Sequence, residues 1–299
     1  LEWEDFCEME LPVPSIERQR EIVQEYNTII ERITLLEQIA KKLEETIKAI
    51  YSRWFVDYDF PISKEYAKAI GNAELEGMPY KSSGCEMFLC NIFDEELPVG
   101  WRYGYFREII KVQSGYAFSS SDFISTGLNK IIKIKNIKPP IIDLTESDYY
   151  SGVLVNKLKK YQAKFGDILI SMTGSTANQM NSAVGQVGRY LLKYNSLINQ
   201  RVGSLIFSND VVSREFCYQF LSGRDTHLEL LAGSTGSANQ ANISPSQIEG
   251  LRLSIPPKNI MFRFDSVVRP MVELISLYHA QIDKLNELKE IVVVRMLRV

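Results

Sequence analysis

Apolar residues Ile22, Tyr26, Ile29, Ile33, Leu36, Ala40, Leu43, Ile47, Ile50 and Trp54 recur at alternating spacings of four and three. That spacing is the seam of a coiled coil rather than the broader face of a globular helix. It predicts one helix from Gln19 to Trp54, about 54 Å long at 1.5 Å per residue. A second seam runs through Phe264, Val268, Met271, Ile275, Tyr278, Ile282, Leu285, Lys289, Val292 and Met296, apolar at every place but Lys289. The two seams are copies. A shift of 242 residues, without a gap, lays Leu11 on Leu253, Pro14 on Pro256, Glu31 on Glu273, Leu43 on Leu285 and Arg53 on Arg295. Each copy reads as a short apolar strand (9–14, 251–257) stopped by proline and followed by the helix. Pro270 should kink the second helix or delay its start, because proline removes a backbone donor and clashes with the preceding turn.

Between the copies the pattern changes. Residues 61–96 mix Gly, Pro, Ser and acidic side chains with little period, which predicts a linker holding one short helix at 64–69. From Leu97 onward, β-branched runs at 130–137, 167–172 and 201–207 predict strands, and 213–222 predicts a helix. The class is α+β: a β-rich middle domain over 97–250, flanked by helical repeats over 1–60 and 251–299.

The net charge of −3 hides a segregation. Residues 1–96 hold 10 basic against 21 acidic side chains, 97–250 hold 16 against 11, and 251–299 hold 8 against 5. A basic centre in an acidic chain can attract a polyanion locally. With 45% hydrophobic and 24% charged residues the chain is core-forming. No apolar run approaches the roughly 18 residues that span a bilayer, and no cleavable leader precedes Leu1, so a cytoplasmic location is expected. Cys7, Cys85, Cys90 and Cys217 lack zinc or disulfide spacing and read as plain thiols. The Gly-x-x-x-x-Gly-Lys phosphate loop and the Gly-x-Ser-x-Gly elbow are missing, and Asn136-Ile-Lys-Pro-Pro140 departs from the Asn-Pro-Pro-Tyr pattern of amino-methyltransferases. Asp57 and Asp59 lie close in sequence, and read as a helix terminus before a metal or acid–base site.

What the middle domain does carry is clusters of small hydroxyl, amide and basic side chains. They are Ser114-Gly-Tyr116, Ser119-Ser120-Ser121, Ser171-Met-Thr173-Gly-Ser175, Asn178-Gln179, Asn199-Gln-Arg201 and Ser234-Thr235-Gly-Ser-Ala-Asn239-Gln240, with a lysine run at Lys130, Lys133, Lys135 and Lys138. Asn and Gln can pair with an adenine edge and Arg or Lys with a guanine edge, while Ser, Thr and amides hold phosphates. On an alternating strand Lys133 and Lys135 would share one face. Taken singly, each cluster is also what an ordinary loop contains.

In combination the motifs resemble a known family. Leu11-Pro-Val-Pro14, Glu17-Arg-Gln19, the heptad helix and Arg53-Trp-Phe-Val-Asp-Tyr-Asp-Phe-Pro61 are similar to the central repeat of the specificity (S) subunits of type I restriction-modification enzymes. Leu97-Pro-Val-Gly-Trp101 resembles the opening of a target recognition domain. Gly166-Asp-Ile-Leu-Ile-Ser-Met-Thr-Gly174, Asn199-Gln-Arg201 and Gly236-Ser-Ala-Asn-Gln240 resemble its internal stations, and Leu253-Ser-Ile-Pro-Pro257 with its helix resembles the distal repeat.

The resemblance implies a non-catalytic chain that reads one half of a split target in double-stranded DNA. Its two helices would form an antiparallel coiled coil of about 50 Å, a ruler of roughly one and a half turns of B-DNA. Helix pairing falls to Ile22, Ile29, Ile33, Leu36, Leu43 and Ile50 against Val268, Met271, Ile275, Ile282, Leu285 and Val292. DNA contact falls to Tyr116, Lys133, Lys135, Lys138, Ser171, Thr173, Ser175, Asn178, Gln179, Arg201, Ser234, Thr235, Asn239 and Gln240. Methyltransferase (M) and restriction (R) subunits would dock on the helices. They would bring AdoMet, ATP and Mg, so that no cofactor and no metal is expected in this chain. Family members carry two recognition domains; one is found here, so the second would come from a longer chain or from a homodimer. The competing reading is a coiled-coil scaffold with a peptide- or carbohydrate-binding domain, and a nuclease built on Asp57 and Asp59 stands further off.

Overall fold

A computed structural model describes residues 13–90, 95–153, 155–175, 182–209, 212–237 and 240–296. Residues 9–12 of the expected strand at 9–14 lie outside these residues, as do Cys7, Asn178, Gln179 and Asn239, and Val13 and Pro14 are not in a strand. The chain divides into two compact units, one made of residues 1–46 and 271–299, the other of Ile47–Pro270.

Helix α1 spans Ile16–Tyr51; α2, Lys64–Ala69; α3, Arg214–Ser222; α4, Arg224–Ala232; α5, Pro245–Glu249; and α6, Lys258–Met296. In the first unit, parts of α1 and α6 pair along the seams. Ile22, Ile29, Ile33, Leu36, Ile282 and Val292 form one buried cluster, joined by half-buried Tyr26, Tyr278 and Leu285. Glu21, Gln24, Thr28 and Ile29 line a groove with Leu288, Val292 and Arg295, so the start of α1 lies beside the end of α6 and the pair is antiparallel. Leu43 and Met271 are half-buried and Ile275 is buried, as their places on the seam require. Lys289, the polar seam residue, is half-buried and turns its ammonium onto Asn286 Oδ1 at 3.1 Å. The hydroxyl of Ser15 accepts from Arg18 N and starts α1.

Two helix expectations are corrected. Regular helix stops at Tyr51 rather than Trp54, and Ser52–Val56 form a π-helical turn in which Asp57 N donates to Ser52 O. The wider turn buries the adjacent side chains Trp54 and Phe55 together. Pro270 lies inside α6, so it does not delay the start of that helix. A proline there costs about 3 kcal/mol, and the burial of Phe264, Val268 and Ile275 on the same helix outweighs it.

In the second unit the α1 and α6 ends meet through aromatic rings. Phe264 packs on Phe55 (4.8 Å between centroids) and Trp54 (5.8 Å), while Ile50 is half-buried and Val268 fully buried. Residues 61–96 are more than a linker. Beside the foreseen α2, Phe60 stacks on Tyr80 (4.7 Å) and Trp101 (5.6 Å), Ile62 is buried, and Met87–Cys90 pairs antiparallel with Glu95–Pro98. The weak period there reflects a core built by a few aromatics instead of a continuous stripe.

The β-rich part holds a six-stranded sheet in the order Ile110–Ser114, Val202–Phe207, Ile168–Ser171, Val187–Arg189, Ile141–Ile142, Ile137–Lys138. A five-stranded sheet runs Gln162–Ala163, Ser196–Ile198, Asn129–Ile132, Asp148–Tyr150, Phe123–Ile124, and a three-stranded one runs Thr173–Gly174, Gln240–Asn242, Thr235–Ser237. Arg252–Ile255 pairs with Arg102–Tyr105. The strands foreseen at 167–172 and 201–207 form within a residue or two, and α3 starts where Ser213 caps it by accepting from Phe216 N. The strand foreseen at 130–137 is cut short: it ends at Ile132, and Ile134–Asn136 forms a 3₁₀ turn closed by Asn136 Oδ1 accepting from Lys133 N.

Candidate nucleic-acid interface

Polar stretches far apart in sequence meet at one end of the six-stranded sheet. There Ser114 lies opposite Gly203, and Val202 opposite Ser171. Beyond the strand end, Tyr116 N donates to Ile198 O and Gln200 N donates to Tyr116 O, which fixes Tyr116 beside Asn199. Met172 N donates to Arg201 O and Ile243 N to Met172 O. Thr173 and Gly174 then pair with Asn242 and Ala241, and the hairpin continues to Thr235 and Gly236. Residues 114–116, 171–175, 199–201, 234–237 and 240, from four of the sequence clusters, thus form one rim, joined by main-chain bonds. Gly115 makes the crossing feasible: a Cβ there would lie 2.3 Å from the carbonyl oxygens of Ile198 and Asn199.

The rim sorts its side chains. Arg201 and Thr235 are exposed; Tyr116, Ser175, Ser234 and Gln240 are half-buried. The Ser234 hydroxyl is turned to Leu231 O at 2.7 Å. Ser171 and Thr173, expected to touch DNA, are buried in this structure. The Ser171 hydroxyl donates to Thr173 O (2.9 Å), and the Thr173 hydroxyl donates to Asn242 Oδ1 (2.9 Å), so both tie the rim together from below.

The lysine run is also rearranged. Lys133 and Lys135 do not alternate along a strand; the 3₁₀ turn brings both to Asp148, with Nζ to Oδ2 distances of 2.8 and 3.6 Å. Lys133 also lies over the Phe123 ring at 3.6 Å. The hydrogen bond from Lys133, with the Lys135 charge behind it, holds the Asp148 carboxyl below its usual range. A carboxyl so lowered contributes stability above its unfolded pKa and loses it as pH falls through the folded value. Asp148→Asn should therefore cost about 0.2–1 kcal/mol at neutral pH, given solvent screening. In urea titrations across acid pH the gap from wild type should close below the ordinary aspartate range. Lys138 is exposed on the edge strand farthest from Ile110–Ser114, so the fold does not bring it to the rim. Lys130 donates to Leu144 O.

Sequence reasoning passed over Lys157, Lys159 and Lys160, which are exposed on the 3₁₀ segment Asn156–Tyr161. The run Asn-Lys-Leu-Lys-Lys-Tyr was the available signal, with Leu158 as its single apolar anchor. Elsewhere, Asp59 accepts from the Ser82 hydroxyl (2.6 Å) and amide (2.8 Å), which lower its pKa and make it a loop clasp. No cluster of three or more His, Cys, Asp or Glu suited to a metal occurs among the described residues. Burial pushes the Cys217 thiol up, and Cys85, Cys90 and Cys217 are free. Among the described residues no helix is long and apolar enough to cross a membrane.

Fold and rim together define a β-rich domain that offers a polar, main-chain-braced edge, with long paired helices in the same chain. A family model described as the type I restriction modification DNA specificity domain matches residues 98–286, and the chain belongs to that family. It is 23% identical to the type I restriction enzyme MjaIX specificity subunit of Methanocaldococcus jannaschii, over 97% of this chain and 58% of that one. It is 22% identical to the HindI specificity subunit of Haemophilus influenzae, over 99% of this chain and 70% of that one. The solved type I restriction-modification S subunit from M. genitalium shares the fold, with a TM-score of 0.57 at 13% identity over 99% of this chain and 65% of its own length. The chain thus spans less than two thirds of the M. jannaschii relative.

Proposed function

We propose that this chain is a DNA-reading component of a type I restriction-modification complex, non-catalytic by itself, and that the rim contacts one half of a split target. The observation that carries the reading is the convergence of residues 114–116, 174–175, 199–201, 234–237 and 240 on one edge, where Arg201 and Thr235 are exposed. Such an edge offers hydroxyls, amides and a guanidinium, the groups that read base edges and fix phosphates. M and R subunits would supply the chemistry, with AdoMet, ATP and Mg on their side. A second recognition domain, from a longer chain or a second copy, would read the other half-site. The antiparallel helix pair supports this reading as the surface available to partner proteins.

Arg201 is the most informative residue, since it is exposed and has no carboxylate partner among the described residues. In the reconstituted complex, Arg201→Ala should weaken binding of the cognate duplex by about 1–3 kcal/mol and relax selection at one base pair. Binding measured on a panel of single-base variants checks this. Equal loss on every duplex would put Arg201 on phosphate instead, and a wild-type complex indifferent to both salt and sequence would sink the proposal.

A further inference from the structure

The 3₁₀ segment Asn156–Tyr161 is held as a rigid strip beside the rim. Leu158 is fully buried with Phe118, Ile131 and Leu197, and Gln113 Nε2 donates to Lys160 O at 2.7 Å. Gln113 belongs to the strand that leads to Gly115 and Tyr116, so strip and rim are continuous. A 3₁₀ helix repeats every three residues, which puts Lys157 and Lys160 on one edge. Both flank an aromatic pair: Lys157 Nζ lies 5.7 Å from the Tyr116 ring centre, Lys160 Nζ lies 4.9 Å from that of Tyr161, and the two rings are 5.5 Å apart. Lys159 is exposed on the next turn edge.

Charge separates these lysines from the others nearby. Lys133 and Lys135 share the single carboxylate of Asp148, whereas Lys157, Lys159 and Lys160 have no carboxylate within 4.0 Å among the described residues. Three uncompensated ammonium groups on an anchored strip repel one another and gain from an anion with repeated charges. We infer that Lys157, Lys159 and Lys160 form a phosphate-binding ridge that grips the backbone of the duplex next to the base-reading rim. This rests on the DNA reading above and assigns the ridge a separate task. It supplies affinity that is independent of sequence and sensitive to salt, while Arg201 and its neighbours supply selection.

The test is the triple variant K157A/K159A/K160A, compared with wild type and with K157R/K159R/K160R in the full reconstituted complex. Binding is followed by fluorescence anisotropy on cognate and mixed-sequence duplexes over a salt series. Each phosphate left without its ammonium partner lowers the slope of log K against log salt by about 0.9, so the alanine variant should fall short of wild type by about 2.7 and the arginine variant should keep the wild-type slope. Affinity should fall by the same factor on every duplex. Circular dichroism checks folding, which exposed lysines should not disturb. A wild-type slope in the alanine variant overturns the ridge while leaving the DNA reading intact, and loss confined to particular sequences overturns the phosphate assignment. Wild-type binding that ignores both salt and sequence overturns both.

Discussion

Replacing Glu215 with Ala should destabilise the Ile47–Pro270 unit by about 3–5 kcal/mol, the range for removing one partner of a buried ion pair. Glu215 and Arg189 are both almost fully buried and bond twice, Nε to Oε2 at 2.8 Å and Nη2 to Oε1 at 2.5 Å. The guanidinium also lies 3.6 Å from the Tyr218 ring centre, and Gln219 Nε2 donates to Glu215 Oε1. Alanine would remove the carboxylate that takes two hydrogen bonds from the buried Arg189 guanidinium. Glu215→Gln keeps an acceptor and should cost less, and a well-packed apolar pair at both positions should recover most of the loss. Urea unfolding followed by tryptophan emission reads the effect, because Trp54 and Trp101 are buried in this unit. A loss below about 1 kcal/mol would show that the pair is wet in solution.

A second large effect is expected at Phe264, where α6 enters the aromatic core. Its side chain is fully buried against Phe55, Trp54 and Tyr51. Phe264→Ala should cost about 3–5 kcal/mol through reduced burial and a cavity that stiff rings cannot close, and Phe264→Leu appreciably less. Trp54 emission should shift to longer wavelength in the alanine variant as water gains access. Unfolding midpoints and emission maxima, measured together, check both parts. An unchanged midpoint would mean that the rings close the gap.

The helices were legible from the chain alone because a seam repeated over many turns leaves no other period to fit. Seam positions such as Ile22, Ile33, Ile275 and Ile282 are buried as that spacing requires. The strands 168–171 and 202–207 were legible as β-branched runs between turns. What stayed hidden depended on neighbours distant in sequence. Ser171 sits in a strand buried on both faces, so it has no polar-apolar alternation to betray its inward direction. Lys133 gave no hint that Asn136 would bend the chain under it and bring it to Asp148. The ridge lysines drew no reading, since only the tertiary position of Leu158 aims them. Tyr51 and Trp54 both fitted a continuing helix, and only the burial of Phe55 alongside them explains why the last turn widens.

The main-chain bonds that brace the rim run from amide to carbonyl, Tyr116 to Ile198, Gln200 to Tyr116, Met172 to Arg201 and Ile243 to Met172, and the side-chain bonds beneath come from the buried Ser171 and Thr173 hydroxyls. None of them passes through Arg201's guanidinium, the Thr235 hydroxyl or the Gln240 carboxamide. The lettering of that edge is therefore separable from the page it is written on, and exchanging those outward groups leaves every supporting amide where it was.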